Sequence, residues 1–186
     1  MIAGLKGKVL KVREDGLLLE TPSGITFHLK VPLNHVPVEG AEVSLFVHTI
    51  FNQQNGFELY GFTDERQLEV FRTLLEVPGI GPAMALRILS DLSLEELSTA
   101  VRTGNVSVLK RVKGLGTKKA EMVVFALKDA PLPEVEEGAA ASEAIKALTT
   151  LGMDYPQARS LVVEGMSKGF KEVEDLIRYA LQRRGT

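Results

Sequence analysis

Two short stretches carry the residues best suited to chemistry. Val77-Pro78-Gly79-Ile80-Gly81 recurs as Val112-Lys113-Gly114-Leu115-Gly116, at an offset of 35 residues. At the same offset Leu74 pairs with Leu109, Ala85 with Ala120 and Leu89 with Val124. In each copy an apolar helical pattern runs into x-Gly-apolar-Gly and a second helix begins at once, which predicts a helix-hairpin-helix. Glycine serves such a turn in two ways: it reaches positive φ without steric cost, and its missing side chain lets another surface approach the backbone. Ile80 and Leu115 are expected to turn inward as anchors, leaving free amides beside a helix N-terminus. Such amides, with the positive end of the helix dipole, bind a phosphate oxygen. They position a nucleic acid without reading its sequence.

Charge favours the second copy. Lys110, Arg111, Lys113, Lys118 and Lys119 fall within residues 104–119, which hold no Asp or Glu. Lys118 and Lys119 open the helix after Gly116, within reach of an anion bound there. The plain alternative is that glycine turns merely join helices and lysines decorate solvated faces. Two aligned copies, one flanked by this cluster, favour paired turns grasping the phosphates of a duplex. With a net charge of −2, nucleic-acid binding must come from such local placement of Lys and Arg and not from a generally basic surface.

The elements that must position these turns follow from pattern. Residues 1–62 read as five strands, near 3–12, 16–21, 25–31, 41–50 and 57–62, broken by Asp15-Gly16, Ser23-Gly24 and Asn55-Gly56. Five short strands suit a closed barrel of the OB type better than a sandwich. Residues 63–129 turn helical, with Leu68, Phe71, Leu74 and Leu75 on one face, a capping box at Ser93 and Glu96, a C-cap at Gly104 and Pro82 as a first helical residue. About five helices fit. Residues 130–141, APLPEVEEGAAA, read as a flexible tether, and 142–186 as a small three-helix unit punctuated by Gly152, Pro156 and Gly169. The expected fold class is therefore mixed and multi-domain.

Composition excludes several functions. With no cysteine there is no disulfide framework, thiolate metal site or thiol nucleophile, in keeping with a reducing compartment. No run of about 18 apolar residues suggests a membrane span, and the N-terminus lacks a long apolar core, so the expected location is the cytoplasm. No Gly-x-x-x-x-Gly-Lys-Ser/Thr occurs, so ATP hydrolysis is not expected. His28, His35 and His48 have no acidic cluster at metal spacing, and neither metal nor cofactor is expected. A helix-hairpin-helix glycosylase would need a catalytic Asp or Lys beside a base-sized pocket; Asp91 follows the first motif but reads as a helix end. A DNA-binding module is favoured over an enzyme or a pure protein-interaction scaffold.

The motifs in their order resemble the RuvA family of Holliday junction branch-migration subunits over essentially the whole chain. The resemblance rests on MIAGLKGKV at the N-terminus, LYGF at 59–62, VPGIGPAMALRIL at 77–89, VKGLGTKKAEMVVFALKD at 112–129 and EAIKALTTLGMDYPQARSLV at 143–162. It implies a homotetramer, single or stacked as two, that holds a four-way junction open. It also implies a ubiquitin-associated-like C-terminal unit that recruits the hexameric ATPase RuvB, and the junction resolvase RuvC as a further partner.

Carried over by position, the DNA-binding residues are Gly79, Ile80, Gly81, Pro82, Gly114, Leu115, Gly116, Thr117, Lys118 and Lys119. Leu148, Leu151, Met153, Leu161 and Tyr179 are candidates for the partner surface, against the alternative that they pack the three-helix core. Two departures stand out. Ala83 occupies a position where the family often has lysine, so the first grip is expected to be less charged. Gln53 and Gln54 lie where the family carries an acidic pin, and glutamine cannot repel phosphate as a carboxylate does. Either Glu58, or Glu14 with Asp15, supplies the charge, or strand separation is steric, or the loop is only a hairpin turn. The alternative function is a helix-hairpin-helix repair accessory that binds duplex DNA without preference for its structure.

Overall fold

The computed structural model describes residues 1–53, 56–133 and 139–183. Its first 62 residues form five strands: β1 (Gly4–Arg13), β2 (Gly16–Glu20), β3 (Thr26–Lys30), β4 (Glu42–Asn52) and β5 (Gly56–Phe62). They close in the order β1-β2-β3-β5-β4, with β4 returning to β1 and the β3–β5 pair parallel, so the expected OB-type barrel is present. Alternation explains its filling. Leu17 and Leu19 of β2, Leu45 and Val47 of β4, and Leu59 of β5 point inward with Val9, Leu29 and Val31 into one buried cluster. β4 and β5 stay paired out to Asn52 and Gly56, well past the last rung each makes with β1 or β3, so their ends form a two-stranded ribbon projecting from the barrel.

The five expected helices follow: α1 (Glu65–Glu76), α2 (Pro82–Asp91), α3 (Leu94–Thr103), α4 (Val106–Leu109) and α5 (Thr117–Ala126). Ser93 and Glu96 form the capping box and Gly104 ends α3 at φ 66°, as the sequence predicts. The helical core does not stop at the chain boundary near residue 62. Tyr60 and Phe62 of β5 belong to it, each with its ring 5.0 Å from that of the fully buried Phe71 on α1, and His48 of β4 meets the same ring edge-on at 5.7 Å. Barrel and hairpins share a wall. The 3-10 turn Leu33–His35 adds polar ties, with Ser90 Oγ accepting from the Leu33 amide at 3.0 Å and Gln67 Nε2 lying 3.4 Å from His35 Nδ1.

The expected tether at 130–141 is corrected at both ends. Leu132 packs on the hairpin core and Ser98 Oγ donates to the Pro133 carbonyl at 2.7 Å, so the chain is still fastened there. Residues 134–138 lie outside the described residues, and helix α6 (Ala139–Thr150) has already begun by Ala139. With α7 (Tyr155–Ser167) and α8 (Val173–Arg183) it makes the expected three-helix unit around Ala144, Leu148, Val162, Leu176 and Ala180.

Candidate nucleic-acid interface

The 35-residue repeat is a repeat of backbone geometry. Amides of Val77 and Val112 donate to the carbonyls of Leu74 and Leu109 at 3.1 and 3.0 Å, and those of Ile80 and Leu115 to Val77 and Val112 at 3.0 and 3.1 Å. Gly81 and Gly116 accept from Ala85 and Ala120 at 2.9 and 3.0 Å. Ile80 and Leu115 are each 4% exposed and their amides are already bonded to Val77 and Val112, so these two expected DNA-binding residues anchor the turns in the core and offer no donor to a phosphate.

The two uses of glycine are divided between two glycines. Gly79 and Gly114 adopt φ 80° and 89°, which other residues rarely reach. Gly81 and Gly116, with φ −93° and −75°, are ordinary extended N-caps, and a Cβ at either would meet nothing within 4 Å. Their missing side chains therefore matter for approach from outside and not for the turn itself. No side chain caps α2 or α5, and no partner among the described residues takes the amides of Gly79, Gly81, Gly114 or Gly116. Two uncapped helix starts, each beside an exposed turn, present the kind of free amides that suit an anion.

The turns also clasp each other. A Cβ at Gly79 would lie 3.2 Å from Cε and 3.5 Å from Nζ of Lys119, while one at Gly114 would lie 3.1 Å from Met84 Cε. Met84 and Lys119 are equivalent in the repeat, so each hairpin extends the same position over the other's first glycine. The two are related by a local pseudo-dyad. Arg87, one turn beyond Met84, donates from Nη1 to the Lys113 carbonyl at 3.1 Å and ties α2 to the second turn.

The basic cluster is only partly available. Lys110, Lys113, Thr117 and Lys118 are exposed and Lys119 is half-buried. Arg111 is diverted: its Nη2 lies 2.6 Å from Glu96 Oε1 and its Nε donates to the Val108 carbonyl. Burial works to raise the Glu96 carboxyl's pKa, but the Ser93 amide and Arg111 outweigh it and hold the group below its usual range.

Of the proposed sources of pin charge, Glu58 is occupied, 3.2 Å from Lys30 Nζ and accepting from the Tyr60 hydroxyl at 2.7 Å. Burial and the Glu58 hydrogen bond push that hydroxyl's pKa up. Glu14 and Asp15 line a different cleft, with Ala83, Arg87, Asp91 and Lys113, and Asp15 pairs with His28 at 3.3 Å. Gln53 is exposed at the ribbon end, and Gln54 lies outside the described residues. The three histidines have separate neighbours, and no group of three or more possible ligands gathers among the described residues.

In the three-helix unit, burial corrects part of the partner surface. Leu148 and Met153 are 0% and 4% exposed and pack the core, so they cannot present a docking face. Leu161 is half-buried against that core, and Tyr179 is half-buried with its hydroxyl donating to Glu164 at 2.7 Å. Leu151 is exposed, as are Tyr155, Met166, Phe170 and Leu181, which sequence reasoning missed. It also missed Arg87, Phe51 and Phe57. Only Arg87 had a signal, the i, i+3 spacing from Met84 that sets both on one helical face.

A closed OB-type barrel fused to two pseudo-symmetric glycine turns defines a tandem helix-hairpin-helix protein. The family description "SAM-like Helix-hairpin-helix tandem" matches residues 71–129, and "RuvA N terminal domain" matches residues 1–61. Proteins described as Holliday junction branch migration complex subunit RuvA align over nearly the full chain. That of Thermus thermophilus is 37% identical over 191 residues, covering 98% of this chain and 99% of the relative. Those of Thermotoga petrophila and Acidithiobacillus ferrooxidans are 37% and 38% identical, each covering 98% of this chain and 97% of the relative. The chain belongs to the RuvA family.

Proposed function

We propose that the protein is the DNA-binding subunit of a branch-migration complex: it recognises four-way junctions, holds them open as a homotetramer and recruits a RuvB-type ATPase through its three-helix unit. The observation that carries this is the pair of matched turns, whose four exposed glycines offer unpartnered amides at two uncapped helix starts. Each pair grips one duplex arm by its phosphates, at Gly79 and Gly81 on one side and Gly114 and Gly116 on the other. Pro82 and Thr117 open the two helices, Lys118 supports the second turn, and Lys119 reaches across to the first. A fourfold ring supplies one such grip per arm, in keeping with the closed symmetry of soluble oligomers. Strand movement then falls to the partner ATPase, which is met by the exposed apolar side chains around Leu151.

The barrel's contribution is rigidity. Because Tyr60, Phe62 and Phe71 pack as one cluster, the turns hold a fixed attitude to the barrel and to its ribbon. No helix among the described residues is long and apolar enough to cross a membrane.

A gel-shift competition between a four-way junction and a linear duplex of the same sequence tests the proposal, together with native mass. Junction preference and a mass near four chains are expected. Equal affinity for both DNAs would support a generic duplex-binding accessory instead.

A further inference from the structure

The ribbon that projects from the barrel ends in two exposed phenylalanines. Phe51 of β4 and Phe57 of β5 are directly opposed across the antiparallel ladder, with ring centroids 5.2 Å apart and planes inclined at 59°. They are 64% and 72% exposed, although other positions of the same alternation, Leu45, Val47 and Leu59, are buried in the barrel. Pairing with β1 and β3 ends before this point, so the pair continues the barrel's apolar face into solvent. A paired aromatic surface left in water is an unsatisfied hydrophobic site.

Its surroundings indicate what would cover it. Phe51 lines a groove with Gln53, Lys30, Pro82 and Ala83, so the ribbon end is continuous with the start of α2, where the first turn offers its amides. The carboxylate in that groove, Glu58, is bound to Lys30 and Tyr60 and so is largely compensated. The ribbon end thus combines π faces and a side-chain amide, in a groove whose Lys30–Glu58 pair leaves no net charge, beside the turn that offers its amides. That is the chemistry of a platform for unstacked nucleic-acid bases.

We propose that Phe51 and Phe57 stack on bases left without a stacking neighbour at the crossover of branched DNA. The inference rests on the junction-binding reading above and replaces electrostatic repulsion by aromatic capture at the ribbon end. Apolar wedges insert between base steps at an unstacking cost, and that cost is least where a base is already unpaired.

The test uses the full chain with Phe51→Ala and Phe57→Ala combined, an immobile four-way junction carrying 2-aminopurine at the crossover, and a linear duplex of the same sequence. Wild type should change the 2-aminopurine fluorescence. The double variant should lose that change and about 5- to 100-fold in junction affinity, with duplex affinity and native mass unchanged. Tyrosine at both positions should restore binding and leucine should not, which separates stacking from bulk; the leucine chain also serves if the alanine chain fails to fold. Unchanged junction affinity and fluorescence, an equal loss on both DNAs, or a fall in native mass would overturn the proposal, the last by making the pair a contact between copies. If Gly116→Val binds both DNAs like wild type, it is the phosphate grip that fails, an outcome distinct from failure of the aromatic pair.

Discussion

The two hairpins share a backbone and differ in charge. The first follows its second glycine with Pro82-Ala83-Met84, which carries no charge, and the second with Thr117-Lys118-Lys119. Yet the pseudo-dyad lays Lys119 over Gly79 and Met84 over Gly114, so the uncharged turn receives an ammonium from the charged one. The difference teaches that turn geometry has to be written twice, because each turn needs its own positive-φ glycine, whereas charge does not, because a long side chain can serve the neighbouring site.

The sharpest way to break the comparison is to place valine at each class of glycine. Gly114→Val forces a β-branched residue to φ 89° against Met84, and should destabilise the fold by about 1–3 kcal/mol in urea unfolding as well as abolish DNA binding. Gly116→Val meets no such strain at φ −75°, so stability should be retained while affinity falls by about tenfold or more through blocked amide contacts, roughly 1.4 kcal/mol. Equal unfolding curves for the two variants would contradict the division of labour between glycines.

Lysine replacement sharpens the exchange between turns. Lys118→Ala and Lys119→Ala should each weaken binding to all sequences alike, and each should lower the slope of log affinity against log salt by about 0.9 per lost phosphate contact. Ala83→Lys should restore the Lys119→Ala variant, since it returns a cation to the first turn, but not the Lys118→Ala variant. Equal rescue of both would show that Lys119 does not serve the first turn in particular.

A smaller effect should arise where α1 of the first hairpin packs on the barrel at His48. Burial, and secondarily the charge of Arg72, hold the His48 pKa below 6.5. The unfolded chain therefore binds more protons between 6.5 and that lower value, and stability should fall as pH drops through this window. Hydrogen exchange should show the loosening in α1 before α5, and His48→Phe, which cannot titrate, should remove the dependence.

Least of all, Arg87→Ala should cost about 1 kcal/mol or less by thermal melting, since its bond to the Lys113 carbonyl is exposed. Its effect on binding should be confined to the alignment of the two turns.

How much of this was legible depends on range. The five strands were readable because dipeptides such as Asp15-Gly16 and Ser23-Gly24 punctuate them, and the turns because a glycine pair recurring with the same apolar neighbours admits few backbone solutions. The crossing of Lys119 was not readable, since an offset of 35 shows which positions are equivalent but not which of them touch. Phe71 was placed correctly on an apolar face, but pattern could not show that Tyr60 and Phe62 from a strand would complete its environment. Leu148 and Met153 follow the core-packing alternative and not the partner-surface one for a related reason: in a three-helix unit large apolar positions are needed for the core. Ala139–Ala141 read as tether because alanine is small and carries no periodic face, yet it is also the residue that best tolerates helix.

The aromatic cluster around Phe71 has a mechanical consequence. If the glycine turns hold a duplex arm as proposed, pulling or twisting that arm would load α1, whose Phe71 is keyed to the barrel through the rings of His48, Tyr60 and Phe62. On the proposed grip, a load taken at the turns passes through these rings into the barrel, so turns and ribbon are expected to move together.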